Sequence, residues 1–397
     1  MKTTTWLSVL LSTACSTSQP AERYGFVARL GSDTVSLESV TRRGNTVTSD
    51  ETDRFPRLRR RHTVTTLGSE GAIRHLEMTI TTPSEAEKQR ESKFVADVGA
   101  DSITYSKRDV AGGMRWAFPT RGGTAMAHVP QMYSLYELYL DAALQRGKRL
   151  GVPVNDTVQM RQFYVDREFD RFPLHRGIVW DRGGGKLEIA HDWLAGIAEA
   201  TVDSNRRLVS WDGHRTTYKV KVERLATAPD IAPVYAEWAA QEAKTGVRQL
   251  SVRDTVRATI GKAKLMIDYS RPLARGRTLL GDVIPYDRVW RTGANAATQL
   301  FTNAPITIGV IRLPAGSYTL WTVPHQNGAE LILNGESGQW GTGYDASRDV
   351  GRTPLRTDTS AAQTEAFTIS VQPADARGGN LVLEWGPFRW IARIVVP

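Results

Sequence analysis

A turn signal recurs roughly every ten residues through most of this chain, and that cadence limits the fold more than any other feature. Gly31-Ser32-Asp33, Arg43-Gly44-Asn45, Gly68 to Gly71, Arg182 to Gly185 and Asp203-Ser204-Asn205 each separate short runs rich in Val, Thr and Ile. Runs of that length and composition are strands rather than helices. Arg74-His75-Leu76-Glu77-Met78-Thr79-Ile80 alternates polar and apolar at every step, the period of a half-buried antiparallel strand. Arg182-Gly183-Gly184-Gly185-Lys186 has the glycines of a phosphate loop but not its spacing. It leads into a strand, so it reads as a hairpin turn.

One stretch of the first half has helical period. Met132, Leu135, Tyr136, Tyr139, Leu140 and Ala143 recur at helical spacing between Pro130 and a stop at Gly147, predicting a helix near 131–146. Its tyrosines, Tyr133, Tyr136 and Tyr139, read as packing. A single amphipathic helix among many strands belongs across the concave face of a curved sheet. Residues 23–228 are therefore expected to form a curved antiparallel sheet, a half-barrel with one crossing helix. In architecture this is similar to envelope lipid-carrier and lipoprotein-sorting domains, which implies an apolar ligand or a protein partner on the curved face.

Residues 229–247 are alanine-rich behind Pro233 and end at Gly246, and read as a linker helix. From residue 248 to 397 about nine strands follow, without a helix of ten residues, and predict a β-sandwich. Two mainly β domains suit a chain of 397 residues, too long for one ordinary core.

Cys15 is the sole cysteine, which excludes an internal disulfide. Met1-Lys2, an apolar run from Trp6 to Leu11, and Leu11-Ser12-Thr13-Ala14-Cys15 resemble a bacterial lipoprotein signal peptide over residues 1–15, with Cys15 as the lipidated residue. The leucine stands four places before the cysteine, where the usual pattern has three. Residues 16–22 then form a tether, and the expected location is the periplasm or outer membrane, held by the lipid. No other run approaches about 18 apolar residues. The net charge of +9 is spread over both halves, whereas a nucleic-acid binder gathers it on one face. Arg57, Arg59, Arg60 and Arg61 read as a solvated strand or loop.

Chemistry concentrates between Asp268 and Asn295, where arginines, aspartates and aromatics alternate with Gly and Pro. Arg271, Arg277 and Arg291 are planar forks suited to carboxylates or phosphates, and two of them converging would make an anion site. Asp268 and Glu384 are equally suited as internal partners. Trp290, Trp340 and Trp385 suit either sheet packing or a sugar platform. Asn295 suits a turn. The seven histidines show no metal-ligand spacing, and no metal or cofactor is expected.

Tyr269-Ser270-Arg271-Pro272, Gly276-Arg277, Pro285-Tyr286, Val289 to Asn295, Leu313 to Tyr318, Gln339-Trp340-Gly341 and Glu384-Trp385-Gly386 occur through this half, and on these residues it resembles the bacterial domain of unknown function 2911 family. Where the family often has a glutamate after the asparagine, this chain has Ala296. The family carries no assigned activity, so the resemblance implies a fold and little chemistry.

The residues support an exported envelope protein acting as a non-catalytic binding module for an apolar or anionic ligand, or a protein partner. Its candidate ligand-binding residues are Asp268, Tyr269, Arg271, Arg277, Trp290, Arg291, Asn295, Tyr344 and Glu384. The alternative is a hydrolase of an envelope glycan or ester, with its site around Arg271, Arg291, Asn295, Tyr344 and Glu384.

Overall fold

Alternation and turn chemistry give one sheet of fifteen strands in the first half. β1 (Glu22–Leu30), β2 (Asp33–Arg43), β3 (Thr46–Arg54), β4 (Leu58–Leu67), β5 (Ile73–Thr81), β6 (Glu91–Val98), β7 (Ser102–Asp109) and β8 (Gly112–Pro119) form a meander. A second run comprises β9 (Ala125–His128), β10 (Thr157–Tyr164), β11 (His175–Asp181), β12 (Lys186–His191), β13 (Leu194–Val202), β14 (Leu208–Asp212) and β15 (Lys221–Leu225). The two runs join where β15 pairs with β1. The computed structural model describes residues 20–68, 71–120, 125–165, 174–192, 194–358 and 363–397. Cys15 and most of the tether lie outside them.

β9 and β10 are parallel, unlike the meander strands around them. A parallel pair needs a crossover, and the helix α1 (Tyr133–Leu150) supplies it. Its first eleven residues are all buried, the condition of a helix enclosed by other elements rather than lying on a surface. Tyr133 and Tyr136 stack on each other and pack against Trp211 of β14.

α1 has no side-chain cap of its own. Glu38 on β2 takes that place. Its carboxylate accepts from the Tyr133 and Ser134 amides at 2.7 and 3.1 Å, from Ser49 Oγ at 2.5 Å, and from Ser134 Oγ. The exposed amides of a helix start favour an anion. One turn on, Glu137 accepts from Tyr24 Oη at 2.6 Å, the Leu208 amide at 3.0 Å and Arg224 at 2.6 Å. Burial pushes both carboxyls above the ordinary glutamate range, against these donors.

α2 (Ala232–Thr245) leaves β15 and docks back on β3 and β4 instead of spanning a gap. Trp238 is buried under Arg54, and Glu242 accepts from the Leu58 amide at 2.9 Å.

The second half is a sandwich of eleven strands: β16 (Ser251–Ile260), β17 (Ala263–Pro272), β18 (Thr298–Thr302), β19 (Ile306–Ile308), β20 (Ile311–Leu313), β21 (Gly316–His325), β22 (Gly328–Asn334), β23 (Asp349–Thr357), β24 (Thr364–Asp375), β25 (Gly378–Gly386) and β26 (Phe388–Val395). β16-β17-β18-β21-β22-β23 make one layer and β24-β25-β26-β19-β20 the other. The layers join where β23 pairs with β26, so the sandwich is nearly a closed barrel around Leu265, Ile267, Leu331, Phe367 and Leu383.

Two expectations need correction, and two strands join those expected. Arg61 is not solvated: it is wholly buried, and its guanidinium donates to Glu51 at 2.8 Å and to Asp53 at 2.5 Å. α1 runs past Gly147 to Gly151, whose φ of 65° ends it; Gly147 instead lets the helix approach Val158, where a Cβ would come within 3.0 Å. Ile306 to Leu313 is two short strands turned at Gly309. Asp349 to Thr357 is β23, with Thr353 and Leu355 turned inward.

The two sheets touch at the β1–β2 turn. The Ser32 amide donates to Arg275 O at 2.9 Å, and Asp33 accepts from Arg275 Nε at 2.6 Å and from Arg248. Among the described residues, no helix is long and apolar enough to cross a membrane.

Glu38→Ala strips the buried start of α1 of its acceptor and should lower stability by about 3 kcal/mol, read from the urea midpoint. Glu38→Gln, which keeps one acceptor oxygen, should lose less. Equal midpoints for Glu38→Ala and the parent chain would refute this account of α1.

Candidate functional site

The long connection between β17 and β18 carries most of the motif residues and is the most strained segment of the chain. Seven described non-glycine residues have positive φ; four of them, Arg275, Asp287, Thr292 and Asn295, lie here. Thr292 is β-branched and has no side chain suited to that region. Such strain persists only where neighbours over-determine it. Here Trp290 exchanges two backbone hydrogen bonds with Thr322, of 2.7 and 2.9 Å. Its indole donates to Gly293 O at 3.1 Å and lies nearly parallel to Trp385, 5.9 Å away. Thr298 Oγ1 donates to Thr292 O at 2.6 Å.

The segment so fixed forms one wall of a cleft of about 730 Å³ between the two sheets. Arg275, Arg277, Arg288, Trp290, Arg291 and Asn295 come from this wall. The opposite wall comes from the first half: Phe55 and the β14–β15 connection with Thr216, Tyr218 and Lys219. Phe55, Tyr218 and Trp211 pack edge to face in series, which ties that connection to the interior.

The charges in the cleft are unbalanced. Arg277 donates to the carbonyls of Ala274 at 2.9 Å and Leu273 at 2.6 Å, and Arg291 to the carbonyl of Asn295 at 3.1 Å. Lys219 Nζ donates to His214 O at 2.6 Å. Among the described residues none of these three has a carboxylate in ion-pair contact, and no carboxylate lines the cleft, although Asp282 lines an adjoining groove with Lys219 and Arg277. Burial pushes Lys219 down to about 8, opposed by Asp282 and reinforced by the charges of Arg277 and Arg291. Burial and the neighbouring Arg275 push Arg277 down to about 10, and burial lowers Arg291. Gly341 is what lets Arg291 lie flat on this wall: a Cβ there would stand 2.4 Å from Arg291 Cδ. Desolvated cations with carbonyl partners only are receptive to an anion.

Of the residues singled out from sequence, Arg277, Trp290, Arg291 and Asn295 share the cleft. Trp385 lines it too, whereas Asp268, Tyr269, Arg271, Trp340, Tyr344 and Glu384 do not. Arg271 crosses to the other layer, donating to Phe367 O at 3.2 Å and Thr368 Oγ1 at 2.9 Å, with Asp254 at 3.3 Å. Tyr269 is buried, and its hydroxyl accepts from the Ile369 amide at 2.9 Å. Asp268 pairs with Arg253 at 2.7 Å and Glu384 with Arg389 at 3.3 Å. Tyr344 donates to Asp349 at 2.7 Å beside Trp321, and burial with that carboxylate pushes its hydroxyl to about 12. Lys219 and Arg288 were not singled out. Lys219 sits in a run that reads as an ordinary strand edge, and nothing local marks a lysine that meets another domain. Among the described residues there is no group of three His, Cys, Asp or Glu able to hold a metal.

Residues 251–394 match the family described as "Protein of unknown function (DUF2911)". No curated protein matches the chain. Among solved structures, a DUF1089 family protein from Pseudomonas aeruginosa is similar at 10% identity, over 54% of this chain and 97% of that one, with a TM-score of 0.34. A beta-barrel-like protein of domain of unknown function DUF1849 from Brucella abortus is similar at 11% identity, over 52% and 94%, with a TM-score of 0.31.

Lys219 should titrate near pH 8, well ahead of the surface lysines near 10.4, when ¹³C-dimethylated protein is followed by NMR. Arg277→Gln removes a like charge and should move that titration upward. A Lys219 resonance titrating with the bulk would mean that the cleft is open to water.

Proposed function

We propose that this chain is an exported envelope protein that binds an anionic ligand, without transforming it, in the cleft between its two sheets. One observation carries the reading: Lys219, Arg277 and Arg291 converge on one cleft from both halves of the chain, no carboxylate lines that cleft, and Asp282 acts on Lys219 and Arg277 only from the adjoining groove, without an ion-pair contact among the described residues. Buried cations ordinarily find a carboxylate, as Arg61 and Arg275 do here. Three half-buried ones without a contacting carboxylate, in a space of ligand size, favour an anion from outside. The cysteine at position 15 behind its apolar run supports a lipid tether in the envelope. An apolar ligand on the curved first sheet has less support, since α1 already covers that face with its tyrosines and leucines. The hydrolase alternative needs an acid–base pair at the cleft, and Glu384 is engaged elsewhere.

Calorimetric titration with pyrophosphate at low salt should show one saturable site. Each charge-assisted hydrogen bond contributes about 1.5–3 kcal/mol, so Lys219→Ala and Arg291→Ala should each weaken binding at least tenfold. Arg271→Ala should leave affinity unchanged and lower thermal stability instead. Affinity should fall as pH rises from about 7 to 9, because Lys219 loses its proton near 8 and only its charged form holds an anion. Absence of saturable binding, or equal binding by Lys219→Ala, would refute the reading. Membrane fractionation with Cys15→Ser tests the tether: the variant should become soluble, and a variant that stays with the membrane would overturn it.

A further inference from the structure

A second groove of about 460 Å³ opens beside the cleft and shares Ala195, Thr217, Arg291 and Asn295 with it. Its floor holds Trp340, 58% exposed and the one exposed tryptophan among the described residues. Trp340 is set rigidly. Its segment is bridged to Ala296, the next amide, Gly341, donates to Asn295 O at 3.0 Å, and Gly343 N donates to Trp340 O at 2.9 Å. No other ring packs on the indole among the described residues. Trp290 and Trp385, by contrast, are absorbed in packing.

Around Trp340 the groove is polar and carries an anion of its own. Asp192 lines it, with its carboxylate accepting from the Arg176 amide at 2.8 Å, and Thr217, Thr342 and Asn295 add hydroxyl and amide groups. An anionic group is therefore unwelcome beside Trp340 and welcome one step away, past Arg291. A base would seek a slot between two planes. A single-sided indole ringed by hydrogen-bonding groups suits instead a molecule with one C–H face and a rim of hydroxyls.

We infer that the two grooves form one extended site for an acidic saccharide, with a neutral sugar ring on Trp340 and the carboxylate or phosphate of an adjoining unit at Arg291 and Lys219. This rests on the cleft being an anion site, and Trp340 lies outside the cleft lining, so the two ideas can fail separately.

The test titrates the full chain with tetragalacturonate, phosphorylated mannopentaose, ATP and pyrophosphate, following tryptophan fluorescence and heat. An acidic saccharide should bind at least tenfold more tightly than pyrophosphate and shift the emission. Trp340→Ala should abolish that advantage while leaving pyrophosphate affinity within twofold. Whether the uronate or the phosphorylated sugar binds identifies the anion, and either supports the inference. If pyrophosphate binds through Lys219 and Arg291 but neither saccharide gains from Trp340, the saccharide inference falls and the anion site stands. If ATP alone depends on Trp340, the ring partner is a base and the inference falls. If nothing binds, both readings fall together.

Discussion

Two buried glutamates hold the first half in shape. Glu38 closes the open start of α1, and Glu137 ties the next turn to β1, β14 and β15 at once. The helix in turn is the crossover that makes β9 and β10 parallel. Without those carboxylates, the first amides of α1 would be buried without acceptors, in a space that water does not reach. The effect carries to the cleft. Trp211 of β14 packs on Tyr133 and Tyr136 and, on its other side, on Tyr218, which precedes Lys219. The position of Lys219 is thus set through four aromatic rings by a helix that the cleft never touches.

The second constraint is Asp33. Burial alone would raise its pKa, but Arg275 and Arg248 hold it below the usual range. Its folded pKa is depressed, so the contact stabilises above the unfolded value of about 3.9 and weakens as pH falls through the folded one. It joins the β1–β2 turn to Arg275, the first strained residue of the β17–β18 connection. The same contact that fixes the two sheets therefore fixes one end of the wall that carries Arg277 and Arg291.

Strand positions were legible because a period of two survives in any half-buried strand, as in Ile73–Thr81. The tyrosine stripe of α1 was legible because 3.6 residues per turn is equally local. What escaped depends on distant partners. Arg61 looks solvated among Arg57, Arg59 and Arg60 until Glu51 and Asp53 are placed beside it by the β3–β4 pairing. Arg277 and Arg291 could be named as forks in the sequence, and so could Arg271, whose partner Thr368 lies 97 residues on. Which forks face a cleft is decided by tertiary pairing, not by the motif.

The cleft differs energetically from the contact next to it. Moving Lys219 from 10.5 to about 8 means that its charged form is disfavoured in the folded chain by about 2–3 kcal/mol at neutral pH, allowing for residual solvent. For a lysine with a lowered pKa that penalty is present below about 8 and is relieved as pH rises towards the unfolded value. Thr292 and Asn295 add backbone strain of about 1 kcal/mol each on the facing wall. The fold does place a carboxylate between arginines where it needs strength, as Asp33 shows only a short way off. Within the cleft it leaves Lys219, and Arg277 and Arg291 on the strained and firmly braced loop opposite, without a contacting carboxylate, Asp282 acting on the first two only from the adjoining groove. An anion seated there would relieve the charge without moving the loop, so its binding energy would appear directly as added stability of the folded chain.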